Sequence, residues 1–301
     1  MNYQEVIRKL YKSVFNEKII NLQDKSKGLE NKVFLIETDN ENTVLKISAR
    51  VDDLAGKYQV HREAWAAKAC AEIKLPVPRI IVFDNSRKLA NFDYVIESRI
   101  NGVDLSESML SDSELKRVMR HVGKLLKQMH GISAEGFGAL TGELKGHAKS
   151  WRYLRKPINR LSDGLFNEKI VTKKQSNHIA NYFLERESIL DFDDPRLLHN
   201  DIQKNNLMVN QNKLVGIIDL GDAMAGDPVY DLARAYQGLC DIPYRDELLN
   251  AYGDFDMESF NYYLLYHACW TTIFFHKNNF KGELNSSLDL LNKLLCDVVG
   301  S

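Results

Sequence analysis

Cysteine is scarce and scattered in this chain: Cys70, Cys240, Cys269 and Cys296 form no C-x-x-C pair and no metal-ligand spacing. That excludes a thiolate metal knuckle and a disulfide framework, and leaves four buried, reduced thiols in a reducing cytoplasm as the expectation. No apolar stretch approaches the roughly 20 residues needed to span a bilayer, so no membrane association is expected. The first residues, Met1-Asn2-Tyr3-Gln4-Glu5, carry charge early and lack a signal peptide's apolar core. A formal net charge of -1 supplies no basic field, so no nucleic-acid partner of the phosphate-tracking kind is expected. Repeats, low-complexity tracts and Pro/Ser-rich linkers are missing too, so any boundary between lobes is compact. What is present is an ordinary globular composition, 44% hydrophobic and 27% charged, in 301 residues, which is enough for two lobes.

Residues 1–14 read as a short amphipathic helix. From Lys32 the pattern turns to strands: Val33–Ile36 and Val44–Ile47 flank the polar run Asp39-Asn40-Glu41-Asn42, a hairpin signal. A helix is expected from about Leu54 to Ile73, stopped by Pro76 and Pro78, with further strands at Arg79–Phe83 and Phe92–Arg99. Strands with one intervening helix make a small α+β lobe over residues 1–100. Beyond Gly102 the pattern is mostly helical. Ser111-x-x-Glu114 is a capping box, and Leu115, Val118, Met119, Val122, Leu125, Leu126 and Met129 form one apolar helical stripe. Further helices are expected over 174–190, 229–239 and much of 257–297, with short strands around Leu207–Val209 and Leu214–Asp219.

Between those two strands and their flanks lies the densest chemistry: His199-Asn200-Asp201-Ile202-Gln203-Lys204-Asn205-Asn206, then Ile218-Asp219-Leu220-Gly221. The spacing places one carboxylate, Asp201, as a base for an acceptor hydroxyl. It places Asn206 and Asp219 together as oxygen ligands for magnesium, which takes its other oxygens from phosphates and water. That is the equipment of phosphoryl transfer, where positioning and charge neutralisation provide most of the catalysis. His199 reads as structural, bonding its own loop. Upstream, Lys46 on its strand can reach phosphates as a point charge, with Glu63 on the following helix as its partner. The loop Gly28-Leu29-Glu30-Asn31 can close over phosphates through backbone N–H groups, although it matches no glycine-rich phosphate motif. Downstream, Gly226-Asp227-Pro228 is a turn into a helix, with Asp227 an N-cap, Pro228 in the first turn and Asp231 a structural anchor for the metal loop.

These residues resemble the aminoglycoside phosphotransferase/choline kinase superfamily, small-molecule kinases related in fold to protein kinases. Val44-Leu45-Lys46 is similar to the nucleotide-lysine strand and Glu63 to its helix partner. Tyr94–Gly102 is similar to the hinge, which implies that adenine bonds the backbone near Ser98 and Ile100, with Glu97 near the gatekeeper position. Leu198-His199-x-Asp201-x4-Asn206 resembles the catalytic loop, and Ile218-Asp219 followed by Gly-Asp-Pro-x-x-Asp-Leu-Ala is the most discriminating piece. Two departures stand out: Asn200 replaces a usual glycine, and Leu220 a common tryptophan. Asp219-Leu220-Gly221 brings protein kinases into view, but Asp231 follows Asp219 by only twelve positions and no Ala-Pro-Glu follows. The expected fold class is therefore α+β and bilobal, protein-kinase-like: a small antiparallel-sheet N-lobe over 1–100 and a larger, mostly helical C-lobe over 101–301.

The resemblance implies a cytoplasmic phosphotransferase moving the γ-phosphate of ATP or GTP, with Mg²⁺, onto a hydroxyl of a small molecule. Its first acceptor class is an aminoglycoside-type antibiotic. A metabolite such as choline, homoserine or a sugar is the alternative, and a non-catalytic nucleotide-binding pseudokinase is a third reading. Asp241, Asp246, Glu247, Asp254, Asp256 and Glu258 fall in one acidic stretch that suits a cationic acceptor. The Lys145–Arg160 segment is conversely basic. Gly136-Phe137-Gly138 with Trp151-Arg152 resembles the hygromycin phosphotransferase branch.

Overall fold

The computed structural model describes residues 3–26, 31–48 and 58–299. Helix α1 (Tyr3–Phe15) is followed by β1 (Asn21–Asp24), β2 (Lys32–Glu37), β3 (Asn42–Ile47), helix α2 (Gln59–Glu72), β4 (Ile80–Asp84) and β5 (Tyr94–Ser98). The strands form one sheet in the order β1-β2-β3-β5-β4, antiparallel at each pairing. Alternation along a strand sends successive side chains to opposite faces. Phe34 and Ile36, Leu45 and Ile47, and Tyr94 and Ile96 are therefore buried together on one face, against Ile7, Leu10 and Tyr11 of α1. The other face carries Val44, Lys46, Val95 and Glu97, with Val44 opposite Glu97 and Lys46 opposite Val95. Odd and even positions of β3 thus decide that Lys46 points away from the apolar layer and toward α2. The β2–β3 turn closes where the expected hairpin put it, with Thr38 N–H donating to Glu41 O at 3.1 Å.

After β5 the chain crosses into a helical body. At Gly102 an added Cβ would lie 2.6 Å from Val209 O, so the crossing requires glycine. There follow β6 (Val103–Asp104), α3 (Asp112–Met129), β7 (Phe137–Gly142), β8 (Lys145–Ala148), α4 (Arg155–Asn167), α5 (Lys173–Glu185), β9 (Arg196–Leu198), β10 (Leu207–Asn210) and β11 (Lys213–Ile217). The body closes with β12 (Met224–Gly226), α6 (Pro228–Gly238), α7 (Asp246–Tyr252), α8 (Met257–Lys277) and α9 (Lys281–Leu294). Two small sheets, β11-β10-β6 and β8-β7-β12-β9, bracket the loops 199–206 and 218–223. Helix α3 starts at the expected cap, Glu114 Oε2 accepting from Ser111 N–H at 2.8 Å, and buries the expected stripe from Val118 to Met129. Helix α8 has no polar stripe through its middle: Tyr262, Tyr263, Leu264, Leu265 and Ala268 are all buried, as in a helix packed on every side. No helix among the described residues is long and apolar enough to cross a membrane.

Several expectations change. The helix read over 54–73 runs from Gln59 to Glu72, and 49–57 lie outside the described residues. The helix read over 174–190 stops at Glu185, and a short 3-10 turn takes Glu187–Leu190. The segment 257–297 is two helices, broken where Asn279 adopts φ 59°. The β7–β8 hairpin and α4 escaped notice. Gly136 and Gly138, both at positive φ, dilute the alternation that would have marked β7. Of the cysteines, all free, Cys70 and Cys269 are buried, Cys240 is half-buried and Cys296 is exposed, not buried as expected.

Helices α3 and α7 approach each other closely. A Cβ on Gly123 would lie 2.2 Å from the backbone oxygen of Leu248, which no side-chain rotation relieves. Gly123→Ala is expected to force α7 outward and lower unfolding stability by about 2 kcal/mol. Urea denaturation measures this, and an unchanged midpoint would contradict the packing described.

Candidate active site

The loop that begins at His199 is held from below by one buried carboxylate. Asp231, on the first turns of α6 and fully buried, accepts from His199 N–H at 2.8 Å through Oδ2 and from Asn200 N–H at 2.8 Å through Oδ1. His130 Nε2 lies 3.0 Å from Asp231 Oδ2, and its Nδ1 lies 2.8 Å from the Tyr252 hydroxyl. Burial alone would raise the Asp231 pKa, but the hydrogen bond and charge of His130, with the hydrogen bond from His199 N–H, hold it below the usual carboxylate range. Asp231 therefore anchors the loop of Asp201, whereas the sequence suggested the metal loop. His199 is structural, as expected. Asp201 N–H donates to its Nδ1 at 3.2 Å, so the ring's proton is on Nε2, which donates to Ile218 O at 3.1 Å. One imidazole thereby ties the two chemistry-bearing segments together.

Asn200 has φ 65°, in the left-handed region where glycine is favoured and asparagine is among the better-tolerated alternatives. Its departure from the resemblance is thus a substitution the backbone accepts, and its Nδ2 adds a bond to Asp222 O at 3.2 Å. Leu220, the other departure, is fully buried, with its N–H on Glu63 Oε1 at 3.1 Å.

Asp201 is crowded with donors. Asn206 Nδ2 reaches its backbone oxygen at 2.8 Å and its Oδ2 at 3.0 Å, and Gln203 Nε2 reaches the same Oδ2 at 3.0 Å. Arg234 Nη2 donates to Oδ1 at 3.1 Å. Burial raises the Asp201 pKa, the Arg234 charge opposes that rise, and the Asp219 charge adds to it, leaving the group above the ordinary aspartate value. Asn206 spends its amide N–H groups on this loop, which leaves Oδ1 for a cation. Ile218 N–H donates to Asn206 O at 3.0 Å and so sets Asp219 beside it.

Asp219 itself is left-handed, φ 69° and ψ 64°, and its Oδ1 lies 3.4 Å from Lys46 Nζ. Lys46 also meets Glu63 Oε1 at 3.0 Å and Glu97 Oε1 at 3.3 Å. Burial would lower the lysine's pKa. Asp219, Glu63 and Glu97 outweigh that and hold it well above its ordinary value, so it stays charged. Burial pushes the Glu97 carboxyl up, to about 8, with Lys46 opposing and Glu63 adding. Helix α2 clasps the same segment twice: Glu63 takes Leu220 N–H, and Arg62 Nε donates to Gly221 O at 2.7 Å.

Lys46, Glu63 and Asp219 are thus in mutual reach, and Asp201 and Asn206 are bonded to each other. Ser98 ends β5, its N–H on Arg79 O and its Oγ accepting from Arg79 N–H, both at 2.9 Å, and Ile100 follows toward the crossing at Gly102. Asn31 immediately precedes β2, while Gly28–Glu30 lie outside the described residues. Arg234, Gln203 and Glu97 as a lysine partner were not anticipated. Arg234 was findable: it sits three residues after Asp231, hence on the same side of α6. The acidic stretch, by contrast, is largely engaged. Asp241 pairs with Lys204, Glu247 with Arg120 and Glu258 with Arg186, Asp246 accepts from Tyr236, and Asp256 caps α8.

The donor set around Asp219 and Asn206 is all oxygen, one anionic and one amide, which suits magnesium completed by phosphate and water. Among the described residues no group of three or more His, Cys, Asp or Glu forms a self-sufficient metal centre. A lysine-bearing antiparallel sheet, set over a helical body with a His-x-Asp loop and a following metal-type aspartate, defines the kinase-like fold of aminoglycoside phosphotransferases. An aminoglycoside phosphotransferase APH(4)-Ia, a thermostable mutant solved with ADP and hygromycin B, superposes with TM-score 0.73 at 17% identity, covering 98% of this chain and 99% of that one. Aminoglycoside 2'-phosphotransferase-IIIa with GDP gives 0.69 at 15%, covering 99% of each. In sequence, hygromycin-B 4-O-kinase of Escherichia coli is 22% identical over 227 residues, 73% of this chain but only 63% of that protein's length. Aminoglycoside 3'-phosphotransferase of Enterococcus faecalis is 24% identical over 261 residues, 78% of this chain and 87% of that one. The profile of the phosphotransferase enzyme family matches residues 22–263, and the chain belongs to that family.

The Asp231 anchor is directly testable. Asp231→Ala leaves two backbone N–H groups, one of them fully buried, and His130 without their acceptor, and is expected to cost about 3 kcal/mol or more of folding stability. Thermal or urea unfolding reads this out, and a chain as stable as wild type would refute the anchoring role.

Proposed function

We propose that this chain is a small-molecule O-phosphotransferase, moving the γ-phosphate of ATP or GTP to an alcohol of its acceptor. The observation that carries the reading is that Lys46, Asp201, Asn206 and Asp219 are linked into one hydrogen-bonded cluster through Ile218 and His199. Residues 1–100 serve as the nucleotide lobe and 101–301 as the lobe of catalysis and acceptor. The nucleobase lies against the backbone near Ser98 and Ile100, Asn31 borders the phosphates, and Lys46, oriented by Glu63, neutralises them. Asn206 and Asp219 would hold Mg²⁺, which when bound shields phosphate charge. Asp201 takes the hydrogen bond of the acceptor hydroxyl, orients its oxygen toward the γ-phosphorus, and receives the proton as the new P–O bond forms and the bond to the leaving diphosphate breaks. Nucleoside triphosphate supply places this work in the cytoplasm.

An aminoglycoside-type antibiotic is the first acceptor class, supported by the kinases of hygromycin and other aminoglycosides among the similar proteins. A second reading has a specific observation behind it. Most of the acidic stretch is paired internally, and Arg234 brings a positive charge to Asp201, which suits a hydroxylated metabolite of low positive charge. Intact Lys46, Asp201, Asn206 and Asp219 speak against the pseudokinase.

Phosphate transfer from γ-labelled ATP to hygromycin B, kanamycin, choline, homoserine and simple sugars separates these readings. Asp201→Asn is expected to lower transfer at least about a hundredfold while Mg-ATP binding persists. Transfer by that variant at the wild-type rate would sink the assignment.

The pH profile carries a sign. Asp201 works ionised, so activity is lost as pH falls through its raised pKa. Arg234→Met removes a charge that lowers that pKa. The acid limb should therefore move to higher pH, and a limb that stays put or moves to lower pH would contradict the geometry.

A further inference from the structure

Glu97 is a buried acid that the transfer step leaves unused. It lies on β5, two positions from Val95, which faces Lys46 across the β3–β5 pairing, and it is only 2% exposed. Its Oε1 is 3.3 Å from Lys46 Nζ, while its Oε2 is buried with no hydrogen-bond partner. An orphaned buried oxygen costs folding free energy, so packing alone gives no reason for an acid here.

The donor arithmetic of lysine supplies a reason. An ammonium has three N–H donors, and Lys46 is met by three carboxyls: Glu63, Glu97 and Asp219. They differ in exposure. The Glu63 and Glu97 side chains are each 3% exposed and that of Asp219 is 39% exposed. Asp219 is therefore the partner free to turn to other work, and two buried acceptors remain with one donor left over. The two are also mounted differently. Glu63 rides on α2 and shares its Oε1 with Leu220 N–H at 3.1 Å, so its place depends on how α2 meets the helical body. Glu97 rides on the strand hydrogen-bonded to Lys46's own strand, so its place depends only on the sheet.

We propose that Glu97 is a second positioning residue for Lys46, holding the ammonium from within the sheet so that its third N–H stays aimed at the nucleotide phosphates. This rests on the reading of Lys46 as the phosphate lysine. A neutral carboxyl serves as well as an ionised one, since its carbonyl oxygen still accepts from the ammonium. Glutamine is accordingly a conservative replacement and methionine, of similar length, is not.

The test is calorimetric titration of the full chain with Mg-ATP and, separately, with adenosine, which lacks phosphates. Glu97→Met should weaken Mg-ATP about three- to tenfold, leave adenosine affinity unchanged and not lower the thermal midpoint. Glu97→Gln should restore most of the Mg-ATP affinity. Glu63→Met combined with Glu97→Met should fall to the level of Lys46→Met. The proposal is overturned if Glu97→Met binds Mg-ATP as tightly as its parent in both the wild-type and the Glu63→Met backgrounds. It is equally overturned if adenosine affinity falls in step, which marks general damage to the lobe. A Lys46→Met chain with wild-type Mg-ATP affinity would instead remove the phosphate-lysine reading, and the proposal with it.

Discussion

One buried ammonium joins the two halves of this protein. Lys46 is placed by strand alternation on the face of the sheet opposite α1, and its charge is sustained there by acids from α2, β5 and the segment after β11. Burying a charge is tolerable only when it is paired and hydrogen-bonded. The cluster therefore constrains both sides. Helix α2 must approach closely enough for Glu63 to reach Lys46 and Leu220 together, and Arg62 fixes that approach on Gly221. The same contacts bring Asp219, in its left-handed conformation, to Lys46.

The helical body treats its own chemical group differently. Asp201 lies on a loop with little regular structure, yet backbone and side chains are tied at close intervals by Asp231, His199, Asn206 and Arg234. Two of these anchors, Asp231 and Arg234, come from α6, which begins with Asp227 capping Val229 N–H at 2.9 Å, while Trp151 packs over Gly226 just before it. A reactive loop held this way loses little entropy when a substrate arrives, which is what catalysis by positioning asks of it. The exposed, movable member is Asp219, and the fixed ones are Lys46 and Asp201.

Much of this was legible in the sequence because spacing along the chain is also spacing across the site. His199, Asp201 and Asn206 share one loop, Asp219 follows one hairpin later, and strand period placed Lys46 on a single face. Asp227, Pro228 and the Ser111 cap were readable from local chemistry alone. Less was legible where the partner is distant. The Glu97–Lys46 contact depends on β5 pairing with β3, and Arg234 is informative only once Asp231 is known to face the loop. The acidic stretch misled for the same reason: composition counts charges, but Arg120, Arg186 and Lys204, which occupy them, come from elsewhere in the chain. Edge strand β1, Asn-Leu-Gln-Asp, carries no alternation at all and forms because β2 offers an edge.

The central claim is that Lys46 and the Asn206–Asp219 pair are two parts of one magnesium–nucleotide site. A crystal structure of the chain with Mg²⁺ and a non-hydrolysable ATP analogue tests it most directly. The expected result has the metal bound by the Asp219 carboxylate and Asn206 Oδ1, with Asp219 drawn off Lys46 and the lysine on the phosphates. A nucleotide bound with its phosphates away from Lys46, or a metal that leaves Asp219 and Asn206 unengaged, would contradict it.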